Sequence, residues 1–377
     1  MTSYSISDII YVIETNNIEL NYEKPLNYIN TTLREYSHSI KKEIDNQTNL
    51  WDKYKKFFNP YEFINTSFDS HTPPVCSYKP LSRSYFKMVE ILHHYSFHFP
   101  NEMVSFHLAE GPGGFIEALS NYRKNEKDIY FGMTLMDNKE DVPKWKNNDI
   151  YLNLHKNIIL EYGQDKTGNL YSKKNLQYIY SNYKHSVDFV TGDGGIDYSN
   201  DFNKQEESSL NLIFAQILYA MCIQKKGGSF VLKLFDTFTS LSVELLFLLN
   251  YLYEDIYIIK PLTSRPANSE KYIVCIHFRM VKNIDEIIEK MIRQYDVRNR
   301  NITSIMNLNI PLLFIDKVKD INSITGQSQV EHIQNILSYM LDQNRKNTLE
   351  HIKRTHLIKC IKICKKYNLP IDESLLT

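Results

Sequence analysis

The middle of the chain alternates short apolar runs with longer amphipathic stretches, and this alternation constrains the fold more than any other feature. Four apolar runs predict strands: MVSFHLAEG, DIYFGMTLM, VDFVTGDG and SFVLKLF. Helical spacing of apolar residues predicts helices around and between them, at 82–95, 113–123, 203–225 and 238–250. Strands separated by helices indicate βαβ units, so we expect a mostly parallel α/β sheet.

Two further apolar runs, DIYIIKP and KYIVCIHF, predict the last strands of this sheet. Only residues 262–269 separate them, which is too short for a crossover helix. These two strands should therefore pair antiparallel near the end of the sheet.

Helical periodicity dominates both flanks of the sheet region. It occurs in ISDIIYVIE and LNYINTTLREYSHSIKKEI before the sheet, and in IDEIIEKMIRQYDV, VEHIQNILSYMLDQ and LEHIKRTHLIKCIKICKKY after it. We therefore predict an N-terminal helical region at 1–80, an α/β domain at 81–285 and a C-terminal helical region at 286–377.

Charge, cysteine content and hydropathy limit the partners and the compartment. Lys+Arg and Asp+Glu both number 44, so any nucleic-acid surface would have to be a local basic patch. Five scattered cysteines and a first segment without a signal-peptide pattern predict an intracellular, reducing environment. The longest apolar stretch, 241–253, is too short for a bilayer and contains Glu244 and Asn250, so we predict no membrane span.

Cys360 and Cys364 lie one helical turn apart and could supply two metal ligands. No second pair with suitable spacing occurs in the sequence, and buried cysteines on one helix face are the commoner arrangement. We therefore predict no metal site.

A glycine-rich turn follows the first predicted strand of the domain. The strand ends at Glu110 and runs into Gly111-Pro112-Gly113-Gly114 before the helical stretch FIEALSNY. Glycines let a ligand approach the backbone, and the helix N-terminus offers free amides to anionic groups. The turn lacks the third glycine of the dinucleotide fingerprint, which makes NAD the lesser functional alternative, and an ordinary turn stays open. An acidic residue at the end of the strand is more typical of a methyltransferase.

Four polar residues fall near the expected rim of the sheet in separate segments: Lys87, Asp193, Lys233 and Glu270. Each has an ordinary structural explanation, as a surface lysine, a turn aspartate, an edge-strand lysine that reaches solvent, or a solvated carboxylate. Together, two amines and two carboxylates beside the glycine turn suit deprotonation of a weakly acidic hydroxyl next to a nucleotide-like cofactor.

From about residue 51 to 280 the chain resembles the FtsJ-type ribose 2′-O-methyltransferases, and most closely the cap-specific mRNA enzymes of eukaryotes and large DNA viruses. The motifs NPYEFI, PLSRSYFKM, AEGPGGFIEAL, FGMTL, DGGID, KQEE, GGSFVLKLFD and KPLTSRPANSEKYIVC occur in the order of that family. The resemblance implies a Rossmann-like methyltransferase fold with an antiparallel terminal strand and S-adenosyl-L-methionine as the cofactor. It also implies that Lys87, Asp193, Lys233 and Glu270 form a Lys-Asp-Lys-Glu catalytic centre.

In this centre Lys233 would be the general base that removes the proton of a ribose 2′-hydroxyl. A base near pH 7 must be a neutral amine, which burial and the neighbouring Lys87 would favour. Asp193 and Glu270 would then orient the two lysines by hydrogen bonds.

The resemblance further implies the binding residues. The cofactor would contact Ser82, Glu110, Gly111, Pro112, Gly113, Gly114, Phe115, Thr134, Asn169, Leu170 and Asp193. Cap enzymes usually have aspartate at the position of Asn169, so a charged contact is lost there. Capped RNA would contact Asn203, Lys204, Gln205 and Arg265. The region before Lys87 offers aromatic residues that could stack on the methylguanine, but the sequence does not identify which of them form its pocket: Trp51, Tyr54, Phe57, Tyr61 and Tyr78.

The expected partners are the capped 5′ end of an mRNA and other capping or transcription machinery, in the cytoplasm, a viral factory or a virion if the protein is viral and in the nucleus if it is cellular. Two alternatives stay open: a catalytically silent module that binds capped RNA or acts as a scaffold, and a 2′-O-methyltransferase for RNA without a cap. FGMTL and LTSRPANSE resemble enzymes of the first transcribed nucleotide and HLAEGPGGFIEALSNY those of the second, so the target nucleotide is undetermined.

Overall fold

The structure, a computed structural model, describes residues 1–7, 11–46, 48–68, 72–136, 145, 150–195, 202–341 and 346–375. Its strands are β1 (Thr2–Ser5), β2 (Ile18–Asn21), β3 (Val104–Leu108), β4 (Ile129–Met133), β5 (Ile158–Glu161), β6 (Val187–Gly192), β7 (Gln224–Leu234), β8 (Tyr253–Lys260), β9 (Lys271–Phe278) and β10 (Ser304–Met306). Its α-helices are α1 (Thr31–Asp45), α2 (Thr48–Phe57), α3 (Ser84–His94), α4 (Gly114–Arg123), α5 (Ile150–Leu154), α6 (Lys173–Tyr183), α7 (Gln205–Ile223), α8 (Ser240–Leu252), α9 (Ile284–Gln294), α10 (Leu312–Leu341) and α11 (Lys346–Lys366).

Eight strands form one central sheet in the order β1-β8-β9-β7-β6-β3-β4-β5. Pairing is parallel from β5 through β4, β3 and β6 to β7, and β9 runs antiparallel to both β7 and β8. The mostly parallel sheet and the antiparallel β8–β9 pair are therefore confirmed. In space β9 lies between β7 and β8, and β1 closes the sheet by pairing antiparallel with β8.

Helices cover both faces of the sheet, as parallel strands that are apolar on both sides require. Side chains of α7 and α8 pack in one large apolar cluster with Phe230 and Leu232 of β7. Val231, the intervening residue, packs in the second cluster with side chains of α3, α4 and α11. Because strand side chains alternate between faces, Lys233 of β7 belongs to the face covered by α3 and α4.

The helical prediction for ISDIIYVIE is wrong where the structure describes it, because residues 11–14 are not helical and residues 8–10 lie outside the described part. The neighbouring chain instead joins the sheet: Ile6 is fully buried and its N–H donates to the carbonyl of Ile256 at 3.1 Å. Pairing with the exposed edge of β8 satisfies backbone groups that a short isolated helix would leave to water. Strands β1 and β5 of this sheet were not predicted, and neither were β2 and β10, which pair with each other.

The flanking helices pack against one another and against the sheet. Trp51 and Tyr54 of α2 share an apolar cluster with Ile333 and Met340 of α10. Cys360 and Cys364 are fully buried on α11, so their interpretation as buried helix-face cysteines is confirmed. Among the described residues, no helix is both long enough and apolar enough to cross a membrane. The division into regions at residues 80 and 285 stays a prediction.

Candidate active site

The carboxyl ends of four adjacent strands form the rim on which most of the predicted site residues lie. Glu110 follows β3, Thr134 follows β4 and Asp193 follows β6. Backbone hydrogen bonds link these ends, because the Asp193 N–H donates to the Leu108 carbonyl at 3.2 Å and the Glu110 N–H to the Met133 carbonyl at 3.2 Å. Ligands of open α/β sheets bind at such a rim.

The glycine turn wraps around the carboxylate of Glu110. The N–H groups of Phe115 and Ile116, at the start of α4, donate to Glu110 Oε1 at 2.7 and 3.0 Å. Gly113 has φ +114°, a left-handed conformation that glycine adopts without strain, and the Gly111–Pro112 peptide is cis. The Phe115 side chain is fully buried and faces Tyr272, so only the backbone of Phe115 lies at the rim.

Glu110 has one oxygen to spare for a ligand. Oε2 is buried and has no hydrogen-bond partner within the described residues. Burial, with Asp193 as a neighbouring negative charge, raises the pKa of this carboxyl well above its usual range. A buried acceptor without a partner is costly, so the turn suits a ligand that brings a cationic or hydrogen-bond-donating group.

Ser82 closes the turn from the opposite side. Its hydroxyl lies 2.5 Å from that of Ser84, and both hydroxyls press against Gly114 where a Cβ atom would stand. The predicted cofactor residues Ser82 and Gly114 are therefore packed directly together.

We expect Gly114→Ala to weaken cofactor binding. The new methyl group would overlap the hydroxyls of Ser82 and Ser84 and lie 3.2 Å from the backbone nitrogen of Tyr85, which must push α4 away from α3. Overpacking of this kind costs about 1–3 kcal/mol, and each 1.4 kcal/mol lost at the turn lowers affinity about tenfold. Calorimetric titration of S-adenosylmethionine measures the loss.

Gly227→Ala is the matched control, because an added Cβ at Gly227 meets no atom within 4 Å although φ there is +79°. It changes stability through the backbone alone. Equal cofactor affinity of Gly114→Ala and wild type would contradict the assignment of the turn.

The loop after β5 folds against the end of β4. Gly168, at φ +63°, approaches the carbonyl of Thr134 where no side chain would fit, and the Met136 N–H donates to the Thr167 carbonyl at 2.7 Å. Asn169 is thereby brought beside Thr134, and its Oδ1 accepts from the Tyr171 N–H at 2.9 Å. The Leu170 side chain is buried in the core. A role for Asn169 and Leu170 at the cofactor stays a prediction.

The four residues proposed for catalysis form two ion pairs. Lys87 of α3 binds both oxygens of Glu270, with Nζ at 2.7 Å from Oε1 and 2.9 Å from Oε2. Lys233 of β7 donates to the backbone carbonyl of Asp193 at 2.7 Å, and its Nζ is 3.3 Å from Asp193 Oδ1. All four side chains are between 11% and 16% exposed, so the ion pairs are largely screened from water but remain accessible to a ligand at the rim.

Tyr272 connects the two ion pairs, and the sequence analysis missed it. Its hydroxyl donates to Asp193 Oδ1 at 3.2 Å, and Lys87 Nζ lies 5.9 Å from the centre of its ring. Tyr272 also stands directly opposite Lys233 in the β7–β9 pairing. The signal was available, because Tyr272 follows Glu270 by two residues and strand residues i and i+2 share a face.

The Glu270 carboxylate is buried among three lysines. Burial alone would raise its pKa, but the positive charges of Lys87, Lys233 and Lys260 outweigh burial and lower the pKa to about 2. The carboxylate is therefore anionic at neutral pH and fixes the position of Lys87.

The residues predicted to contact RNA lie near one pocket. This pocket, of about 190 Å³, is lined by Gln205 and Arg265, with Trp51 and Lys55 of α2 and Lys41 of α1. Lys204 is exposed beside Gln205 at the start of α7, and the side-chain amide of Asn203 donates to the His38 carbonyl at 3.4 Å. Residues 196–201, the first two of which complete the DGGID motif, lie outside the described part.

Arg265 is already paired with a carboxylate that the sequence analysis did not single out. Glu62, buried in the NPYEFI motif, accepts from Arg265 Nε at 3.0 Å and from Nη2 at 2.8 Å, and it also binds Arg83. Burial raises the pKa of Glu62, but the two arginines lower it overall to about 2. A phosphate would therefore be an additional partner of Arg265, and this contact stays a prediction.

Comparison with known proteins identifies a family for the part of the chain that contains the quartet. A family model described as FtsJ-like methyltransferase matches residues 80–278. The chain is 29% identical over 314 residues to cap-specific mRNA (nucleoside-2′-O-)-methyltransferase 2 of Drosophila melanogaster, covering 77% of this chain and 43% of that protein. It is 30% identical over 275 residues to cap-specific mRNA (nucleoside-2′-O-)-methyltransferase 1 of Drosophila melanogaster, covering 69% of this chain and 34% of that protein.

A protein named cap-specific mRNA (nucleoside-2′-O-)-methyltransferase 1 in Trypanosoma brucei brucei is 32% identical over 252 residues, which cover 64% of this chain and 65% of that protein. The chain spans less than half of the length of the two fly relatives.

Proposed function

The chain belongs to the FtsJ-like methyltransferase family, and we propose that it transfers a methyl group from S-adenosylmethionine to a ribose 2′-hydroxyl near the capped 5′ end of an mRNA. The observation that carries this proposal is the pairing of Lys87 with Glu270 and of Lys233 with Asp193 on one rim, connected through Tyr272. The names of the relatives supply the class of substrate.

The glycine turn and its neighbours fit the proposed cofactor. When bound, S-adenosylmethionine supplies an electrophilic methyl group on a sulfonium centre. Glu110 Oε2 is a buried acceptor suited to a cationic or N–H-donating part of such a molecule, and Gly111 and Pro112 of the turn are half-buried and therefore partly accessible. Thr134 and Asn169 extend the same rim towards β5 and would contact the remainder of the cofactor.

Lys233 is the residue proposed to remove the hydroxyl proton. Its amine is held by the carbonyl and carboxylate oxygens of Asp193, so Nζ has a fixed position at the rim. Gly195 passes within contact of it, since a Cβ there would lie 3.1 Å from Nζ. Absence of a side chain at Gly195 keeps the approach to the amine open. Once deprotonated, the amine can accept the ribose proton as the hydroxyl attacks.

Lys87 and Glu270 are proposed to support this step without taking the proton. Glu270 holds Lys87 through both of its oxygens, and the charges of Lys87 and Lys233 both act on Glu270. The Lys87 ammonium opposes a positive charge on Lys233, whereas the Asp193 and Glu270 carboxylates favour that charge. Fixed positions also reduce the orientational cost of reaching the reactive geometry.

The pocket beside Gln205 and Arg265 is proposed to receive the cap. Trp51 supplies an aromatic wall, and aromatic rings bind cations such as methylated guanine well. Lys41 and Lys55 also line the pocket and could contact phosphate oxygens, although the chain as a whole has no net charge. Lys41 is paired with Asp236 and Lys55 with Asp52, so a phosphate would be an additional partner of each amine.

We expect purified protein to methylate a capped oligonucleotide and to leave the same oligonucleotide without a cap at least about tenfold less modified, because the cap pocket adds binding energy of about 1.4 kcal/mol or more. Mass spectrometry of the digested product identifies the methylated sugar and its position. Equal rates on both substrates would favour the enzyme for RNA without a cap. Binding of capped RNA without affinity for S-adenosylmethionine would favour the silent module and refute the proposal.

A further inference from the structure

Glu270 lies at the end of the loop that joins β8 to β9, residues 261–270, and this β8–β9 loop is anchored from several elements. The buried carboxylate of Glu90, one turn after Lys87 on α3, accepts from the N–H groups of Leu262 and Thr263 at 2.9 and 2.8 Å. Gln329 of α10 donates to the Ala267 carbonyl at 3.2 Å. The beginning of the loop is therefore fixed to α3 and its middle to α10.

Lys260, the last residue of β8, fixes the far end of the same loop. Its Nζ lies 2.6 Å from the Glu270 carbonyl, 2.6 Å from the Asn268 carbonyl and 2.9 Å from Asn268 Oδ1. An ammonium group has three N–H donors and no acceptor, so three oxygens at these distances use all of them. The side chain therefore spans the base of the loop and ties its end to its start.

Glu270 is consequently held at each of its polar groups. Its N–H donates to Asn268 Oδ1 at 3.0 Å, its carbonyl accepts from Lys260, and its Oε1 accepts from the Ser264 hydroxyl at 2.8 Å. Both carboxylate oxygens bind Lys87. Lys260 thus binds the backbone of Glu270 and Lys87 binds its side chain. The conformation of the loop therefore determines the direction of the Glu270 carboxylate.

We propose that Lys260 is a positioning residue for methyl transfer, which holds the backbone of Asn268 and Glu270 so that the Glu270 carboxylate meets Lys87. This inference rests on the proposed function. The amine of Lys260 donates to the backbone carbonyl of Glu270, and its charge also helps to keep the Glu270 carboxylate anionic. Lys260→Arg retains this charge, so the comparison of the methionine and arginine variants includes the electrostatic part of the effect. A loop that lost this tie would place Lys87 less accurately.

The test is Lys260→Met, which keeps the length of the side chain and removes all three hydrogen bonds. We expect kcat on capped RNA to fall by about 10- to 100-fold, because displacements near 1 Å at a catalytic group have effects of this size. The Kd for S-adenosylmethionine should stay within about threefold of wild type, because the variant leaves the glycine turn intact, whereas the KM for RNA should rise, because Arg265 and Asn268 of this loop line the proposed cap pocket. Lys260→Arg, which retains donors, should recover part of kcat.

Lys271→Met is the matched control. Lys271 follows Glu270 directly in the sequence and is buried, but its amine donates to Thr325 of α10 at 3.5 Å instead of to the backbone of the β8–β9 loop. A general effect of losing a buried lysine would lower kcat equally in both variants. An equal loss of kcat in Lys260→Met and Lys271→Met, or a wild-type kcat for Lys260→Met, would overturn the proposal.

Hydrogen exchange of the amides in 262–270 provides a measurement that does not depend on activity. Lys260→Met should exchange faster in this segment than wild type and Lys271→Met, at unchanged exchange in α3 and α4. If the wild-type protein does not methylate RNA, the proposed function fails. The exchange measurement still tests whether the hydrogen bonds of Lys260 to Asn268 and Glu270 hold the loop in place. Unchanged exchange in 262–270 would overturn the positioning role by itself.

Discussion

Replacement of Lys233 by alanine is expected to lower the rate of methyl transfer by about 10²- to 10⁴-fold, the usual contribution of a general base. The Lys233 amine contacts the backbone carbonyl and Oδ1 of Asp193. The alanine variant removes this amine and leaves no proton acceptor in its place. Binding of S-adenosylmethionine should change little, because the Glu110 turn lies on another strand end. Methyl incorporation and calorimetry measure the two quantities separately.

Lys225→Ala is a suitable control on the same strand. Lys225 is 41% exposed and pairs with Asp188 at the opposite end of β7, at 2.9 Å. Its loss should leave the rate within about twofold, since exposed ion pairs contribute at most about 1 kcal/mol. Full activity of Lys233→Ala would remove Lys233 as the base.

Glu270→Gln is expected to lower both activity and stability, and the loss of stability should depend on pH. The pKa of Glu270 falls from its usual 4.5 to about 2 in the folded protein. A depressed folded pKa contributes stability that is complete above about pH 4.5 and is lost as the pH falls through about 2. The interval corresponds to about 3 kcal/mol, which glutamine cannot supply because it carries no charge.

Denaturant unfolding at several pH values between 6 and 2 checks this expectation. The free energy of unfolding of wild type should fall across the interval by about 3 kcal/mol more than that of Glu270→Gln. Glu102→Gln, which removes an exposed carboxylate paired with Lys127, should follow the wild-type curve. Parallel curves for wild type and Glu270→Gln would show that the charge of Glu270 is not coupled to folding.

Activity of Glu270→Gln should drop by about tenfold or more, because Lys87 would lose its counter-charge and one of its fixed acceptors. Activity equal to that of wild type would place Glu270 outside the catalytic setting.

The local patterns of the sequence predicted six of the eight sheet strands that the structure describes, and they singled out the four polar residues of the quartet near the rim. Apolar runs separated by helical stretches specify βαβ units, and the short 262–269 interval specifies the antiparallel pairing of β8 with β9. Asp193 and Glu110 could be placed because each follows an apolar run, and residues after parallel strands share one rim.

Elements defined by distant partners were not predictable in this way. Strand β1 has no strand pattern of its own, and only the edge of β8, more than 250 residues later, makes it a strand. Glu62 resembles any surface carboxylate until Arg265 meets it 203 residues away. Such contacts depend on burial and charge pairing that no local period encodes.

The sequence by itself determined which residues reach the rim of the sheet, because strand ends and turn glycines are local properties of the chain. Only the tertiary structure decided how those residues are paired. Lys87 could have faced Asp193 or Glu270, and the loop tied by Lys260 and Glu90 determines that it faces Glu270. The physical reason is that a buried ammonium must find oxygens in the arrangement around it, and that arrangement is built by segments far apart in the chain.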